Sequence, residues 1–443
     1  MSSLIDARLE SNSKIKLNFD GGDLSSDTGL FLLKEFVHRV GFDQIIKDNF
    51  KTNDPARYRI HKDDENLMQE IYQTIAGYFQ DDDADEFIKD PVFNSILGKN
   101  TLASQPTMSR FFNRLDNDTL NQYERIHQLM RQVAYSLERP DMVLLDIDST
   151  LFETYGSQEG QGFNYHYSSH GYHPLLCYDG LTGDLLKTQL RDGNVYTSNG
   201  AVEFLEPLLK EYIDQYPDID IYLRGDSGFA IPDLYSLLEQ NACSYAIRLK
   251  VNNTLYKEAS HLTDELNDLT ASNKVDYAVC YGEFEYQAGS WDYPRRVVVK
   301  VEKPTGQMLY MYTFIVTNMD LKPKELIKFY CNRGRMENFI KESKNGFAFD
   351  SMSSSSKLVN SNRLQISMLA YNIFNWFRRL ALPGKMRKLQ IDTIRLKLIK
   401  IASRVVRSAR YTIFKLCSSC PYKAEFYEIL ANIRNLKFQP KLE

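Results

Sequence analysis

The chain has 443 residues, 43% hydrophobic and 25% charged, the composition of an ordinary globular protein large enough for a sizeable core. Its formal net charge of −4 excludes a globally basic nucleic-acid binder, so any DNA-facing surface has to be local. No apolar run approaches the ~20 residues of a membrane span, and the N-terminus lacks an apolar signal core. The six scattered cysteines fit a reducing cytosol better than a disulfide frame.

In chain order, residues 14–19 alternate like a short strand. Residues 28–50 carry a helical pattern, with Leu30, Leu33, Phe36 and Val37 recurring at three and four. Residues 64–80 read as another helix, and the acidic run Asp81–Glu86 after it reads as a solvated helix start ahead of a cation site. Leu102–Leu115 looks like a turn feeding a capped helix that carries Thr107, Ser109 and Arg110. A helix-turn-helix reader of DNA has this look, and so has any capped surface helix. Residues 118–138 form a further helix.

At Pro140 the pattern changes. Met142–Thr150 is an apolar run that ends in acids, which reads as a buried, central strand. Period 2 puts Asp146 and Asp148 on one face at its C-terminal end. Two carboxylates there are costly unless something cationic meets them, and capping of the next turn by Asp148 is the plainer use. Residues 153–173 are rich in Gly, Tyr and His, and such aromatics suit a position beside nucleic acid. His166, His170 and His173 have no patterned fourth ligand for zinc, and Cys417-Ser-Ser-Cys420 is a lone CxxC that reads as two ordinary thiols.

Strands at 174–178 and 185–190 join through Asp179-Gly180 and Thr182-Gly183-Asp184 as a hairpin. A helix capped at Thr197–Asn199 runs to Tyr216. Ile219–Arg224 is a strand followed by Asp226 and a Gly-flexed turn, a second acid at a strand end. A helix at 232–240 and a strand at 244–250 follow. Residues 275–318 are strand-like in four pieces: Val275–Tyr281, Phe284–Ala288, Arg296–Val301 and Tyr310–Thr317. Among them Trp291 stands beside Tyr293, Arg295 and Arg296. It reads either as packing or as a base-stacking residue on a DNA-facing loop.

After Pro323, the stretch Tyr330–Lys344 reads as one helix. At about 100° per residue, Tyr330, Arg333, Glu337 and Lys344 share a narrow stripe. One acid among cations and a phenol suits a face that holds a metal and presses on phosphate. A surface helix with i,i+4 ion pairs is the alternative. Residues 361–382 form a strongly apolar helix. From Lys385 to Lys423 eleven Lys and Arg residues face one acid, Asp392, which suggests a phosphate-facing surface. A basic helix lying on a membrane is the rival reading.

The spacing Y-x2-R-x3-E-x6-K of Tyr330, Arg333, Glu337 and Lys344 resembles the signature of one branch of bacterial insertion-sequence transposases, DDE enzymes with an RNase H-like catalytic domain. The runs Tyr172–Leu176 and Thr182–Asn194 resemble one subgroup of them. In that family the first strand ends in an Asp followed by a small residue and Thr. The resemblance therefore implies Asp148, in Asp148-Ser149-Thr150, as the first catalytic acid, with Asp146 in reserve. It likewise implies Asp226 as the second acid and Glu337 as the third. The same three would ligate two Mg²⁺ ions, with Mn²⁺ as a substitute. Tyr330, Arg333 and Lys344 would grip phosphates, with Lys341, Trp291, Arg404 and Arg407 completing the DNA-binding set.

The implied fold is α/β. An RNase H-like core is interrupted by a β-rich insertion and flanked by a helical N-terminal and a basic helical C-terminal region. The expected parts are a mostly helical DNA-binding region (1–138), the first part of the core (139–250), the insertion (251–320), the catalytic and packing helices (321–382) and the basic helical region (383–443). The implied function is Mg-dependent cleavage and strand transfer at terminal inverted repeats, cut-and-paste, with a DNA hairpin as a route open to this branch. Implied partners are double-stranded DNA, as terminal repeats and target, and a second copy of the chain, in the cytoplasm at the nucleoid. The alternatives are an RNase H-like nuclease without strand transfer and a domesticated DNA-binding regulator.

Overall fold

The computed structural model describes residues 7–56, 58–270, 277–307 and 309–438. The strand start expected at Val275 lies outside them. The chain divides into two units: residues 1–138, 345–348 and 365–443 form one, and residues 139–344 and 349–364 the other.

The second unit is built on strand β1 (Met142–Ser149). Val143, Leu144, Leu145 and Ile147 are all buried, so both faces of the strand are covered and an apolar run rather than an alternation is what folds there. Three short strands follow: β2 (Phe152–Glu153), β3 (Gly162–Asn164) and β4 (Ser169–Tyr172). They form a small sheet of their own, in the order β2-β4-β3. The hairpin β5 (Leu175–Asp179) and β6 (Leu185–Gln189) comes next, with the expected turn closed by Gly183 at φ 77°. Helix α1 (Ala201–Gln215) buries Phe204, Leu205, Leu208, Leu209 and Tyr212, an i, i+4 stripe. It leads into β7 (Asp220–Gly225), helix α2 (Pro232–Gln240) and β8 (Ser244–Arg248).

Strands β9 (Ala278–Tyr286), β10 (Arg295–Lys303) and β11 (Met311–Thr317) complete a mixed eight-stranded sheet in the order β9-β10-β11-β8-β7-β1-β5-β6. Strands β1, β7 and β8 run parallel, and the remaining neighbours pair antiparallel. One expectation is corrected here. The pieces at 275–281 and 284–288 are one strand, because Gly282 stays in register opposite Val299. Strand β11 pairs with β8, so the β-rich stretch carries the central sheet onward.

The first unit is mainly helical, with helices at Leu30–Val40, Phe42–Asn49, Asp63–Ala76 and Asn117–Leu137. Gly41, left-handed at φ 76°, divides the helical pattern expected to run through 28–50. Phe36 and Phe42 meet Phe377 and Trp376 in the core of this unit, at ring distances of 5.6 and 5.3 Å.

The basic stretch after residue 383 is only partly helical. Ser403–Arg407 and Thr412–Leu416 pair as a hairpin, and the first of these strands also pairs with Leu24–Ser25. Runs such as Val405-Val406 and Ile413-Phe414 favour strand, and charge counting overlooked them. Several of the eleven cations also have partners that spacing could not reveal. Lys400 binds buried Asp27 at 2.5 Å, Lys385 binds Glu425 at 2.9 Å, and Arg407 pairs with Asp23. Arg395 is 7% exposed and donates to the carbonyls of Thr74 and Ile75. The exposed cations of this region include Arg404, Arg410 and Lys415.

Candidate active site

The register of β1 against β7 pairs Asp146 with Arg224. The side chains of this pair meet on one face of the sheet. Arg224 donates from Nε to Oδ1 at 2.7 Å and from Nη2 to Oδ2 at 2.6 Å, and its Nη1 donates to the Phe329 carbonyl at 2.6 Å. Asp146 is fully buried and Arg224 is 1% exposed. The guanidinium also lies 5.2 Å from the Phe329 ring centroid. Every strong acceptor of Asp146 is thus engaged, which gives it the role of a structural counter-ion. Gly180 makes room for it, since a Cβ there would lie 2.3 Å from Asp146 Oδ2.

Two residues further along both strands, period 2 returns Asp148 and Asp226 to the same face. Parallel neighbours are about 4.8 Å apart, so these two acids stand side by side at the C-terminal ends of β1 and β7. Asp148 lies within reach of the Asp226 charge. Burial pushes the Asp148 carboxyl above its ordinary value, Arg333 pulls it back, and Asp226 pushes it up again as a like charge. Asp148 Oδ1 accepts the Ser149 N–H at 2.8 Å, and Asp226 Oδ1 accepts the Gly228 N–H at 2.8 Å. Both acids lie at strand ends, Asp148 in the last two residues of β1 and Asp226 directly after β7, and with Asp146 engaged by Arg224 it is Asp148 that is left beside Asp226.

Arg333 reaches this pair. Its Nη2 lies 3.0 Å from Asp148 Oδ2 and donates to the Ile147 carbonyl at 3.0 Å. Its buried Nε has no hydrogen-bond partner among the described residues. Tyr330 is 9% exposed and packs with Leu326, Ile327, Val298 and Ile315. Burial raises its phenol, with the charges of Arg333, Asp226 and Asp148 acting on it as well. Tyr330 is therefore a core residue at the border of the acid site, where an exposed phosphate grip was expected.

The stretch expected as one helix is two: α3 (Pro323–Cys331) and α4 (Gly334–Phe347). At the junction the N–H groups of Arg333, Arg335 and Met336 bond three residues back, to Tyr330, Asn332 and Arg333. The tighter i→i+3 turn, with Gly334 as a weak helix former, swings Arg333 off the common stripe and towards β1. Within α4 the stripe survives. Glu337 and Lys344 are seven residues apart and project within about 20° of each other. Lys344 Nζ donates to the Leu151 carbonyl at 2.7 Å and sits 5.4 Å from the Phe152 ring centroid. Burial depresses its ammonium, while Asp350 and Glu153 oppose that.

Glu337 is exposed on α4, on the helix edge between Arg333 and Lys344, both tied to the end of β1. Among the described residues no three His, Cys, Asp or Glu side chains are grouped closely enough to hold a metal ion. Two of the three expected acids are thus adjacent and the third stands apart from them on the flanking helix. The donors are hard carboxylate oxygens, and two like charges at neighbouring strand ends fit a divalent cation such as Mg²⁺.

Of the other expected DNA contacts, Lys341 is exposed on α4, and Arg404 and Arg407 are exposed on the C-terminal hairpin. Trp291 is not available to a base. It is 7% exposed, wedged against Tyr235 and Tyr286 at 5.3 and 5.4 Å, with the Arg295 guanidinium 5.5 Å from its ring. Sequence reasoning placed the aromatics of residues 153–173 beside nucleic acid without giving a site role to Tyr167, whose phenol lies 3.5 Å from the Ser149 carbonyl and feels both Asp148 and Asp226. Its place in an aromatic run right after the acid-ended strand was the available signal.

The sequence matches the family described as Transposase DDE domain group 1 over residues 7–438. No curated protein sequence matches the chain. Among solved structures, the cryo-EM structure of a piggyBac transposase synaptic complex with hairpin DNA is similar at 13% identity, covering 85% of this chain and 80% of that one, with a TM-score of 0.41. No helix among the described residues is long and apolar enough to cross a membrane.

Proposed function

The chain belongs to the transposases that carry a group 1 DDE domain, and from that premise we propose that it moves a bacterial insertion sequence by binding its terminal inverted repeats. Members of this family cleave DNA and transfer strands. The adjacency of Asp148 and Asp226, set by the β1–β7 register, carries the reading. The order β6-β5-β1-β7-β8, with the first three antiparallel and the last two parallel to β1, supports an RNase H-like core. On this reading β9–β11 are an insertion in sequence that extends the core sheet at its edge. The helical region 1–138 and the basic region 383–443 are then the parts that grip the ends and flanking DNA.

Asp148 and Asp226 would hold a divalent cation such as Mg²⁺, with Mn²⁺ as a substitute, and Glu337, which stands apart from them here, would complete a two-ion site on closer docking of α4. Such ions activate an attacking oxygen and neutralise the leaving one. The chain's own side chains do the rest. Arg333 offers its unpartnered Nε–H and a planar fork suited to a phosphate. Lys344 fixes α4 against the loop after β1, so the helix carrying Glu337 is held beside the strand ends. Lys341, Arg404 and Arg407 supply positive charge along the DNA path. Water attacks first and frees a 3′-OH, which then attacks either the opposite strand, giving a hairpin, or the target. The chain acts as a homodimer across paired ends, in the cytoplasm at the nucleoid.

The test is a Mg²⁺-dependent cleavage and joining assay on the element's own terminal repeats. Cleaved and joined products are expected. Cleavage without any joined product would favour a nuclease, and end binding without cleavage by the intact chain would favour a regulator.

A further inference from the structure

Between Arg139 and Lys187 the chain contains no lysine or arginine. This cation-free stretch is the one that folds beside Asp148. It forms the small sheet β2-β4-β3, and it carries exposed rings: Tyr155 is 87% exposed, Tyr165 88% and Phe163 38%. The rings fall in two clusters. Phe163 meets Tyr165 and His170 edge-on at 5.2 Å, and Tyr167 meets His166 at 4.7 Å and His173 at 6.1 Å. The second cluster reaches the acid site through Tyr167, whose phenol approaches the Ser149 carbonyl. A cleft of about 470 Å³ opens there, lined by Thr150, Tyr155, Tyr167 and Lys344 together with Glu153 and Asp350.

An exposed run of aromatic rings marks a binding surface, and the charges around this one select its occupant. Glu153 and Asp350 repel phosphates, the sheet itself offers no cation, and Lys344, the one cation lining the cleft, is already bonded to the Leu151 carbonyl. Duplex DNA presents phosphates outward and keeps its base faces stacked. An unpaired strand presents base faces, and aromatic side chains stack on them without regard to sequence. We propose that the aromatic sheet β2-β4-β3 is a second DNA-contact surface, which stacks the unpaired bases of an opened or cut DNA end beside Asp148 and Asp226. The proposal rests on the transposase reading of that site and names what the site receives.

The test uses the full chain, in EDTA so that no DNA is cut, with two labelled probes read by fluorescence anisotropy. One is a blunt duplex and the other the same duplex with a six-nucleotide unpaired oligo-dT tail. Wild type should prefer the tailed probe. Phe163→Ala and Tyr165→Ala should each weaken tailed binding on the order of tenfold, with the blunt duplex as internal control, while Tyr165→Phe should keep the preference because stacking needs the ring and not the hydroxyl. These side chains are exposed, and unchanged thermal melts will show that the variants fold. No tail preference in the wild type, or an undiminished preference in both alanine variants, would overturn the proposal. The outcomes separate the two ideas. A chain that cleaves and joins but shows no tail preference defeats only the aromatic surface. A chain that prefers tails but never cleaves defeats the transposase reading.

Discussion

Asp146 and Asp148 sit two residues apart on one strand, and their replacement by alanine should have opposite consequences. Asp146→Ala leaves Arg224 charged, 1% exposed and stripped of two of its three short hydrogen bonds. Breaking a buried pair from one side costs about 3–5 kcal/mol, a large share of the ~5–15 kcal/mol that holds a domain folded. Asp148→Ala removes a carboxylate that is 18% exposed and repelled by Asp226, and Arg333 keeps the Ile147 carbonyl. Its stability should change by less than about 1 kcal/mol, while cleavage is lost. The chain has two tryptophans, Trp291 in one unit and Trp376 in the other. In a Trp376→Phe background, urea unfolding followed by Trp291 fluorescence reports on the sheet unit alone. The Asp146→Ala midpoint should fall by on the order of 1 M, and Asp148→Ala should stay near the parent. Replacing both partners, Asp146→Leu with Arg224→Met, should restore most of the loss, because two apolar groups leave no orphaned charge. Equal midpoints for the two alanine variants, or a double variant no better than Asp146→Ala, would refute the structural role given to this pair.

Glu337→Gln should keep end binding in a gel-shift assay and abolish nicking; persistent nicking removes Glu337 from the metal site. Trp291→Ala should cost about 3–5 kcal/mol of stability in urea unfolding followed by far-UV circular dichroism and leave the affinity of the folded fraction for DNA unchanged, whereas a selective loss of affinity would return it to the DNA surface. Burial pushes the Asp179 carboxyl up to about 6, against an unfolded value of about 3.9. The raised folded value favours the protonated acid, so this contribution is complete below pH ~4 and is lost as pH rises through ~6. Two units are worth about 3 kcal/mol, and Asp179→Asn, which keeps an oxygen for the Leu144 and Leu181 N–H groups, should flatten the stability profile between pH 4 and 7.5; parallel profiles would show that Asp179 does not titrate there.

The parts legible in the sequence were those fixed locally. Apolar runs ending in Asp148 and Asp226 marked strand ends, and Gly183 marked the hairpin turn. What stayed hidden depends on partners distant in the chain. Asp146 and Asp148 look alike along the strand, and only Arg224, 78 residues away, separates a counter-ion from a site residue. The basic C-terminal stretch looked uniformly free until Asp23, Asp27 and Glu425 met it. The break at Asn332–Arg333 was also out of reach. A uniform 100° projection assumes an unbroken helix, whereas the contacts of Arg333 with Ile147 and Asp148 are made by the tertiary fold.

That break has a chemical consequence. Two carboxylates at neighbouring strand ends repel when both are ionised, and each raises the other's affinity for protons. A continuous helix would carry Arg333 on the same stripe as Glu337 and Lys344, with its guanidinium directed along α4. The tightened turn instead places it 3.0 Å from Asp148, where a positive charge offsets part of the repulsion and pulls the carboxyl back against the burial that raises it. The same guanidinium keeps a buried Nε–H with no hydrogen-bond partner among the described residues, the donor that the proposed phosphate contact would use. Arg333 thus serves the acid pair, and the departure from regular helix at residues 332–333 is what brings it there.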